Sequence, residues 1–294
     1  MLVEEKMLLM ARRSRENYME RMGPVLAARP AAVEVEELSV STAAGETSVF
    51  LYKPCGLSAK SLPVYLNIHG GGFIQGSTQD DDGWCRQIAA AVGCIVVNIE
   101  YHLAPEYKFP LQLEECYDVI KWVQATANEN GFDSSRIAIG GSSAGANFSA
   151  ALCQLARQRQ DVAICYQVLN YPPLDFVTDP ETKGDRDPLL TAKAQAFFTA
   201  CYLRDSTDAA NPLASPLLAD SLAGLPPALI ITAELDPLCA EDERYAKRLA
   251  ADGVAVTYRM FAGCSHAFTH FGPEPAAQEA WTLIQEKLQQ AFNR

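Results

Sequence analysis

The sequence predicts an α/β protein with a mostly parallel central sheet of about eight strands flanked by helices. Three observations carry that expectation. Apolar runs of strand length alternate with longer stretches of helical spacing. The runs are continuously apolar, as strands covered on both faces are. A chain of 294 residues with 49% hydrophobic content suffices for a large buried core.

Residues 1 to about 29 set Leu2, Met7, Leu8, Met10, Met19 and Met22 among charges at roughly helical spacing and stop at Gly23-Pro24, predicting one or two amphipathic helices. Because the charges are mixed in sign, a helix packed on its own domain is favoured over one lying on a membrane. Val33 to Val40 and Ser48 to Lys53, parted by Ala44-Gly45, predict an antiparallel hairpin at a sheet edge. Buried strands are expected at Leu62 to Ile68, Cys94 to Ile99, Arg136 to Ile139, Ile164 to Leu169, Ala228 to Thr232 and Val256 to Phe261. Helices are expected at Trp84 to Val92, Leu111 to Ala127, Ala144 to Arg159, Leu238 to Ala251 and Pro275 to Phe292.

The alternation breaks between Tyr171-Pro172-Pro173 and Leu225-Pro226-Pro227. There a charged stretch, Asp179 to Asp187, precedes a helix expected from Thr191 to Leu203. Insertions of this size in a compact domain are usually functional. We expect residues 1–45, outside the sheet, and residues 175–215 to form a two-part helical cap over the C-terminal edge of the sheet, and residues 46–294 to form the domain that carries the chemistry.

A net charge of −12 argues against a nucleic-acid partner, which needs Lys and Arg gathered on one face. Cys55, Cys85, Cys94, Cys116, Cys153, Cys165, Cys201, Cys239 and Cys264 form no Cys-x-x-Cys pair, and several lie inside apolar runs. They read as buried thiols of a reducing cytoplasm, neither a disulfide framework nor a zinc site. The apolar run Met7 to Ala11 is too short and too flanked by charge for a signal peptide, and no run approaches the ~18 apolar residues of a membrane span. No stable membrane association is expected; a homodimer is compatible with the sequence.

The chemistry centres on Ile137 to Asn147. An apolar run stops at Gly140-Gly141, presents Ser143 in a Gly-x-Ser-x-Gly frame, and turns helical. Such a strand–turn–helix holds its serine in a strained conformation, and Gly141 and Gly145, two residues to either side, leave it room. If Ser142 stood at the bend, its flanks would be Gly140 and Ala144, a poorer fit. Alone, the pattern arises by chance in roughly one chain in ten of this length. A nucleophilic serine also needs a base, a group to orient that base, and donors for an oxyanion.

His69-Gly70-Gly71-Gly72-Phe73 follows the strand Leu62 to Ile68, and its glycines let backbone N–H groups face a ligand. Gly71, Gly72 and Ala144 are the expected oxyanion donors, with His69 holding the loop by a local hydrogen bond. Asp236, before Pro237, reads equally as a helix cap and as the orienting acid. His266 sits in the loop after the last strand, where a base belongs, while His102 and His270 have weaker claims. His266 and His270, one helical turn apart, could be pictured as metal ligands, but no carboxylate accompanies them in a His-Glu-x-x-His pattern. Ser143, Asp236, His266 is the chain order of the α/β-hydrolase fold.

From about residue 60 to 270 the chain resembles the bacterial hormone-sensitive-lipase-like esterases. The match rests on His69-Gly70-Gly71-Gly72, Tyr101-His102-Leu103-Ala104-Pro105-Glu106, the frame around Ser143, Ser215-Pro216-Leu217, Gly224-Leu225-Pro226-Pro227, Asp236-Pro237-Leu238 and His266-Ala267-Phe268. The resemblance implies a serine carboxylesterase with Ser143, Asp236 and His266 as triad, the same three oxyanion donors, a cap, and no metal or organic cofactor. Small esters with short or medium acyl chains are the implied substrates. Phe73, Phe197, Phe198 and Tyr202 are candidates for an acyl pocket, although aromatics at such positions are more often core. The chain departs from the family at Ser142, which replaces an Asp; at Ala146 and Ala267, which replace glycines; at His102, which replaces an Arg; and at Ala240, where an acidic residue is frequent. A formamidase or amidase on the same triad fits these motifs too. A membrane-acting lipase is disfavoured, as is a ligand receptor of the gibberellin-receptor type, which lacks the histidine retained here as His266.

Overall fold

The computed structural model describes residues 3–22, 32–57, 60–184 and 186–293. One sheet carries β1 (Val33–Thr42), β2 (Gly45–Pro54), β3 (Leu62–Ile68), β4 (Ile95–Glu100), β5 (Phe132–Ser142), β6 (Tyr166–Asn170), β7 (Ala228–Ala233) and β8 (Val256–Phe261). Their spatial order is β1-β2-β4-β3-β5-β6-β7-β8. The pairs β1/β2 and β2/β4 are antiparallel and every other pair is parallel. A two-residue turn can join only antiparallel strands, whereas the parallel strands need the crossovers that the intervening helices supply.

The helices are α1 (Val3–Met22), α2 (Asp82–Val92), α3 (Leu111–Ala125), α4 (Ala127–Asn130), α5 (Ala144–Arg159), α6 (Ala192–Tyr202), α7 (Ser206–Ala209), α8 (Cys239–Ala251), α9 (Phe268–Phe271) and α10 (Glu274–Phe292). Side chains alternate across the pleat, so the sheet feeds two cores. Val64, Leu66 and Ile68 of β3 join the layer that holds Val119 of α3 and Phe148 of α5, while Tyr65 joins the opposite layer with Ile88 of α2 and Ile284 of α10. In that second layer Trp84 and Trp281 stack with ring centroids 4.4 Å apart.

Three expectations need correction. Residues 33–42 are not outside the sheet: β1 pairs with β2 along its whole length, from Val33 opposite Pro54 to Thr42 opposite Gly45. Of the segment 1–45, the described part outside the sheet is α1, and the stop at Gly23-Pro24 lies outside the described residues. β8 is not covered on both faces, because as an edge strand it turns Arg259 and Met260 to solvent. Nor are the cysteines uniformly buried, since Cys55 is exposed and Cys165 and Cys239 are partly so; all nine are free thiols.

The topology positions the site. After β3 the chain adds β4 on one side and later β5 on the other, and such a reversal opens a crevice at the carboxyl ends of the strands. Ile68, the last residue of β3, lies opposite Gly141 of β5. The glycine loop after β3 and the serine turn after β5 therefore face each other.

Candidate active site

Ser143 occupies the turn between β5 and α5 with φ +52° and ψ −116°, a conformation side chains rarely adopt. Strain of this kind costs about 1–3 kcal/mol and persists only when the surroundings impose it. Here they do. The Ser143 N–H donates to the Asn170 carbonyl at 2.8 Å, and its carbonyl accepts the Asn147 N–H of α5 at 3.0 Å. A Cβ at Gly141 would stand 2.2 Å from the Ile68 carbonyl oxygen and one at Gly145 1.9 Å from it, so neither position admits a side chain.

His266 Nδ1 lies 2.6 Å from Asp236 Oδ2, and its Nε2 lies 2.9 Å from Ser143 Oγ. A carboxylate only accepts, so Nδ1 carries the proton and Nε2 of the neutral ring accepts the serine hydroxyl. Both His266 and Asp236 are buried, at 7% and 4% exposure. Burial, the largest influence on His266, favours the neutral ring. The charge and hydrogen bond of Asp236, with the charge of Asp187, outweigh it and raise the imidazole pKa. Both readings of Asp236 hold at once, because its Oδ1 accepts the Leu238 N–H at 2.9 Å just before α8. Two residues after Ala240, Asp242 is fully buried and accepts the Thr232 hydroxyl.

Gly71 and Gly72 take φ +121° and +60° in the loop after β3. The Gly71 carbonyl turns away to accept the N–H groups of Ile74 and Gln75. Among the described residues, no hydrogen bond uses the N–H of Gly71 or Gly72. His69 is fully buried; its Nδ1 meets the Gly70 carbonyl at 2.8 Å and its ring stacks on Tyr101 with centroids 4.2 Å apart.

A cavity of about 680 Å³ opens on Ser143 and His266, with Gly71 and Gly72 in its wall. Its lining is mixed, with Phe73, Phe176, Phe198, Leu189 and Leu190 apolar and Tyr18, Gln75, Asp80, Asp81 and His270 polar. Met7 and Tyr18 of α1 and Phe198 of α6 show that both the N-terminal helix and the insertion contribute to its wall. Of the four acyl-pocket candidates, Phe73 and Phe198 line the cavity, whereas Tyr202 and Phe197 do not. Tyr202 is fully buried and stacks on Phe73 at 3.7 Å between centroids, and Phe197 packs against the same core.

The cavity lining contains a pair that the sequence did not announce. His270 Nε2 lies 2.7 Å from Asp81 Oδ1, and Asn67 donates to Asp81 Oδ2 at 2.8 Å. His270 Nδ1 is 3.1 Å from the Thr269 hydroxyl, which is hydrogen-bonded to the Tyr171 hydroxyl. Nothing in the spacing of residues 81, 171 and 270 signals this chain. His270 and His266 each pair with their own carboxylate, and among the described residues no cluster of three or more ligand side chains could hold a metal. Asp187 is the other residue missed: it lay in a charged stretch read as loop, yet it is 2% exposed and accepts the backbone N–H of His266.

The pattern of the alpha/beta hydrolase fold family matches residues 65–270. The carboxylic ester hydrolase LipN of Mycobacterium tuberculosis is 40% identical over 244 residues, 80% of this chain and 64% of that protein's length. The esterase LipI of the same organism is 37% identical over 84% of this chain and 79% of its own length. Among solved structures, EstE1, a thermostable carboxylesterase cloned from a metagenomic library, superposes with TM-score 0.90 at 35% identity, covering 96% of this chain and 97% of its own. With its family pattern, sheet topology and serine–histidine–aspartate geometry, this chain belongs to the hormone-sensitive-lipase-like serine carboxylesterases of the α/β-hydrolase fold.

Proposed function

We propose that Ser143 is the nucleophile, His266 the base and Asp236 the group that orients it, and that the chain hydrolyses short- to medium-chain carboxylic esters by two-step acyl transfer. The observation that carries this reading is the unbroken hydrogen-bond series from Ser143 Oγ through His266 to Asp236 at the floor of the cavity. His266 takes the serine proton as Oγ attacks the ester carbonyl, then gives it to the departing alcohol. Water, deprotonated by the same ring, releases the acid. The N–H groups of Gly71, Gly72 and Ala144 receive the oxyanion. Two of these are otherwise unbonded, Gly71 and Gly72 share the cavity lining with Ser143, and Ala144 follows it at the start of α5.

Helix α1 and residues 175–215 act as a two-part cap that excludes water from the acyl-enzyme. The free thiols support a reducing compartment, the cytoplasm. Among the described residues no helix is long and apolar enough to cross a membrane. The test is a panel of aryl esters graded by acyl length, together with labelling by a serine-directed phosphonate. Turnover of the shorter esters is expected, with a phosphonate adduct on Ser143 and at least a ~1,000-fold loss of kcat in Ser143→Ala. Turnover that survives in Ser143→Ala would remove the assignment.

A further inference from the structure

Asp187 belongs to the insertion, 79 positions from His266 in the chain, yet its Oδ2 accepts the main-chain N–H of His266. Its Oδ1 accepts the N–H groups of Leu189 at 2.7 Å and Leu190 at 3.3 Å. Leu189 and Leu190 are wall residues of the cavity. One buried carboxylate is therefore shared by the loop that carries His266 and the turn that shapes the apolar wall.

That loop needs an anchor. Ala267, directly after His266, is held at φ +58°, a left-handed conformation that alanine adopts only under constraint. The N–H fixed by Asp187 is the last main-chain donor before this residue. Loss of the carboxylate would leave three backbone donors facing a site built to exclude water.

We propose that Asp187 is a positioning residue that ties the His266 loop to the cavity wall built by the insertion, an assignment that rests on His266 being the base. The groups that face His266 are Asp236 from the turn after β7, Ser143 from the turn after β5, Tyr171 from the end of β6 with ring centroids 5.0 Å away, and Asp187 from the insertion. Nearby cations are engaged elsewhere. Arg186 donates to the Glu234 carbonyl, and Lys183 pairs with Glu241 at 2.6 Å. Glu234 itself accepts the Gly263 N–H. The negative charge of Asp187 thus adds to that of Asp236 in holding a proton on the imidazole.

The sign follows. Activity requires neutral His266 and is lost as pH falls through its raised pKa, so deleting the Asp187 charge moves that loss to lower pH. The experiment measures kcat/KM from about pH 5 to about pH 9 for wild type, Asp187→Asn and Asp187→Ala with a short aryl ester. Asp187→Asn keeps one acceptor oxygen and drops the charge. Its acid limb should shift to lower pH, with a plateau within about tenfold of wild type. Asp187→Ala should show the same shift, a ~10- to 100-fold lower kcat and a raised KM, because Leu189 and Leu190 are released together with the histidine.

An acid limb and plateau unchanged in Asp187→Asn, even if thermal stability falls, would overturn the proposal. Should Asp187→Ala not fold, Asp187→Asn decides alone. Absence of turnover and of phosphonate labelling in the wild type would instead overturn the reading of Ser143 and His266.

Discussion

Asp81 and His270, 189 positions apart in the chain, meet at 2.7 Å in the wall of the cavity that holds Ser143, with side chains only 3% and 7% exposed. Burial, the largest influence on Asp81, pushes its pKa up. The hydrogen bond and charge of His270, with the donor Asn67, overcome that and hold the carboxyl below its ordinary value of 3.8. A depressed carboxylate contributes stability that is present above its unfolded pKa and is lost as pH falls through the lower folded value.

In His270→Ala the buried charge loses its main partner, and burial governs Asp81. Removing one member of a buried pair costs about 3–5 kcal/mol. Urea unfolding at neutral pH should show a loss of about 3 kcal/mol. Acid unfolding followed by circular dichroism should begin at higher pH than in wild type. An unchanged acid midpoint would mean that the pair carries no linkage.

Ser142, the last residue of β5, is buried beside the nucleophile at 6% exposure. In the same cavity lining Asp81 holds His270, which is linked through Thr269 to Tyr171. The hydrogen-bond series runs through Ser143, His266 and Asp236 and not through Ser142, so Ser142→Ala removes no atom of it. Steady-state kinetics of Ser142→Ala should keep kcat within about fivefold of wild type. A collapse comparable to that of Ser143→Ala would mean that the serine at position 142 takes part in the chemistry itself.

Asp242 is fully buried beside Asp236. Burial first, then the neighbouring charge, raises its pKa well above the ordinary carboxyl range, against the hydrogen bond from Thr232. A carboxyl whose folded pKa is raised is held protonated at a cost that grows as pH climbs above the unfolded value. Asp242→Asn keeps the size and an acceptor for Thr232 while removing that cost. The melting temperature should rise at neutral pH, with a gain that shrinks towards about pH 4. A lower melting temperature across the whole range would show that Asp242 is ionised and needed as such.

Ser143, Asp236 and His266 were legible in the sequence because each lies in the connection after a strand of the parallel part of the sheet, which gathers those strand ends on one edge. The glycine loop was legible for the same reason, and β3 and β8 begin and end where their apolar runs do. What resisted reading were contacts between distant segments. Tyr202 and Phe198 look alike in the sequence of α6, yet only the side of the helix decides that one stacks on Phe73 in the core while the other faces the cavity. Asp187 had no signal either. An acid in a charged stretch reads as a solvated loop unless the fold turns it under the insertion towards His266.

The contact of Phe198 with the glycine loop sets the last expectation. Its ring packs so closely that a Cβ at Gly72 would lie 2.7 Å from the ring, which puts Phe198 in the cavity wall beside an expected oxyanion donor. Phe198→Ala removes that wall and extends the apolar space next to Ser143. Each further methylene that gains contact is worth on the order of 1 kcal/mol. The loop also loses support, so every ester should be hydrolysed somewhat more slowly, and the informative quantity is a ratio. The kcat/KM of a medium-chain aryl ester relative to the acetate should rise about tenfold over wild type. A ratio that stays level or falls would place the acyl chain elsewhere in the cavity, because widening a wall the chain never touches cannot change which chain is preferred.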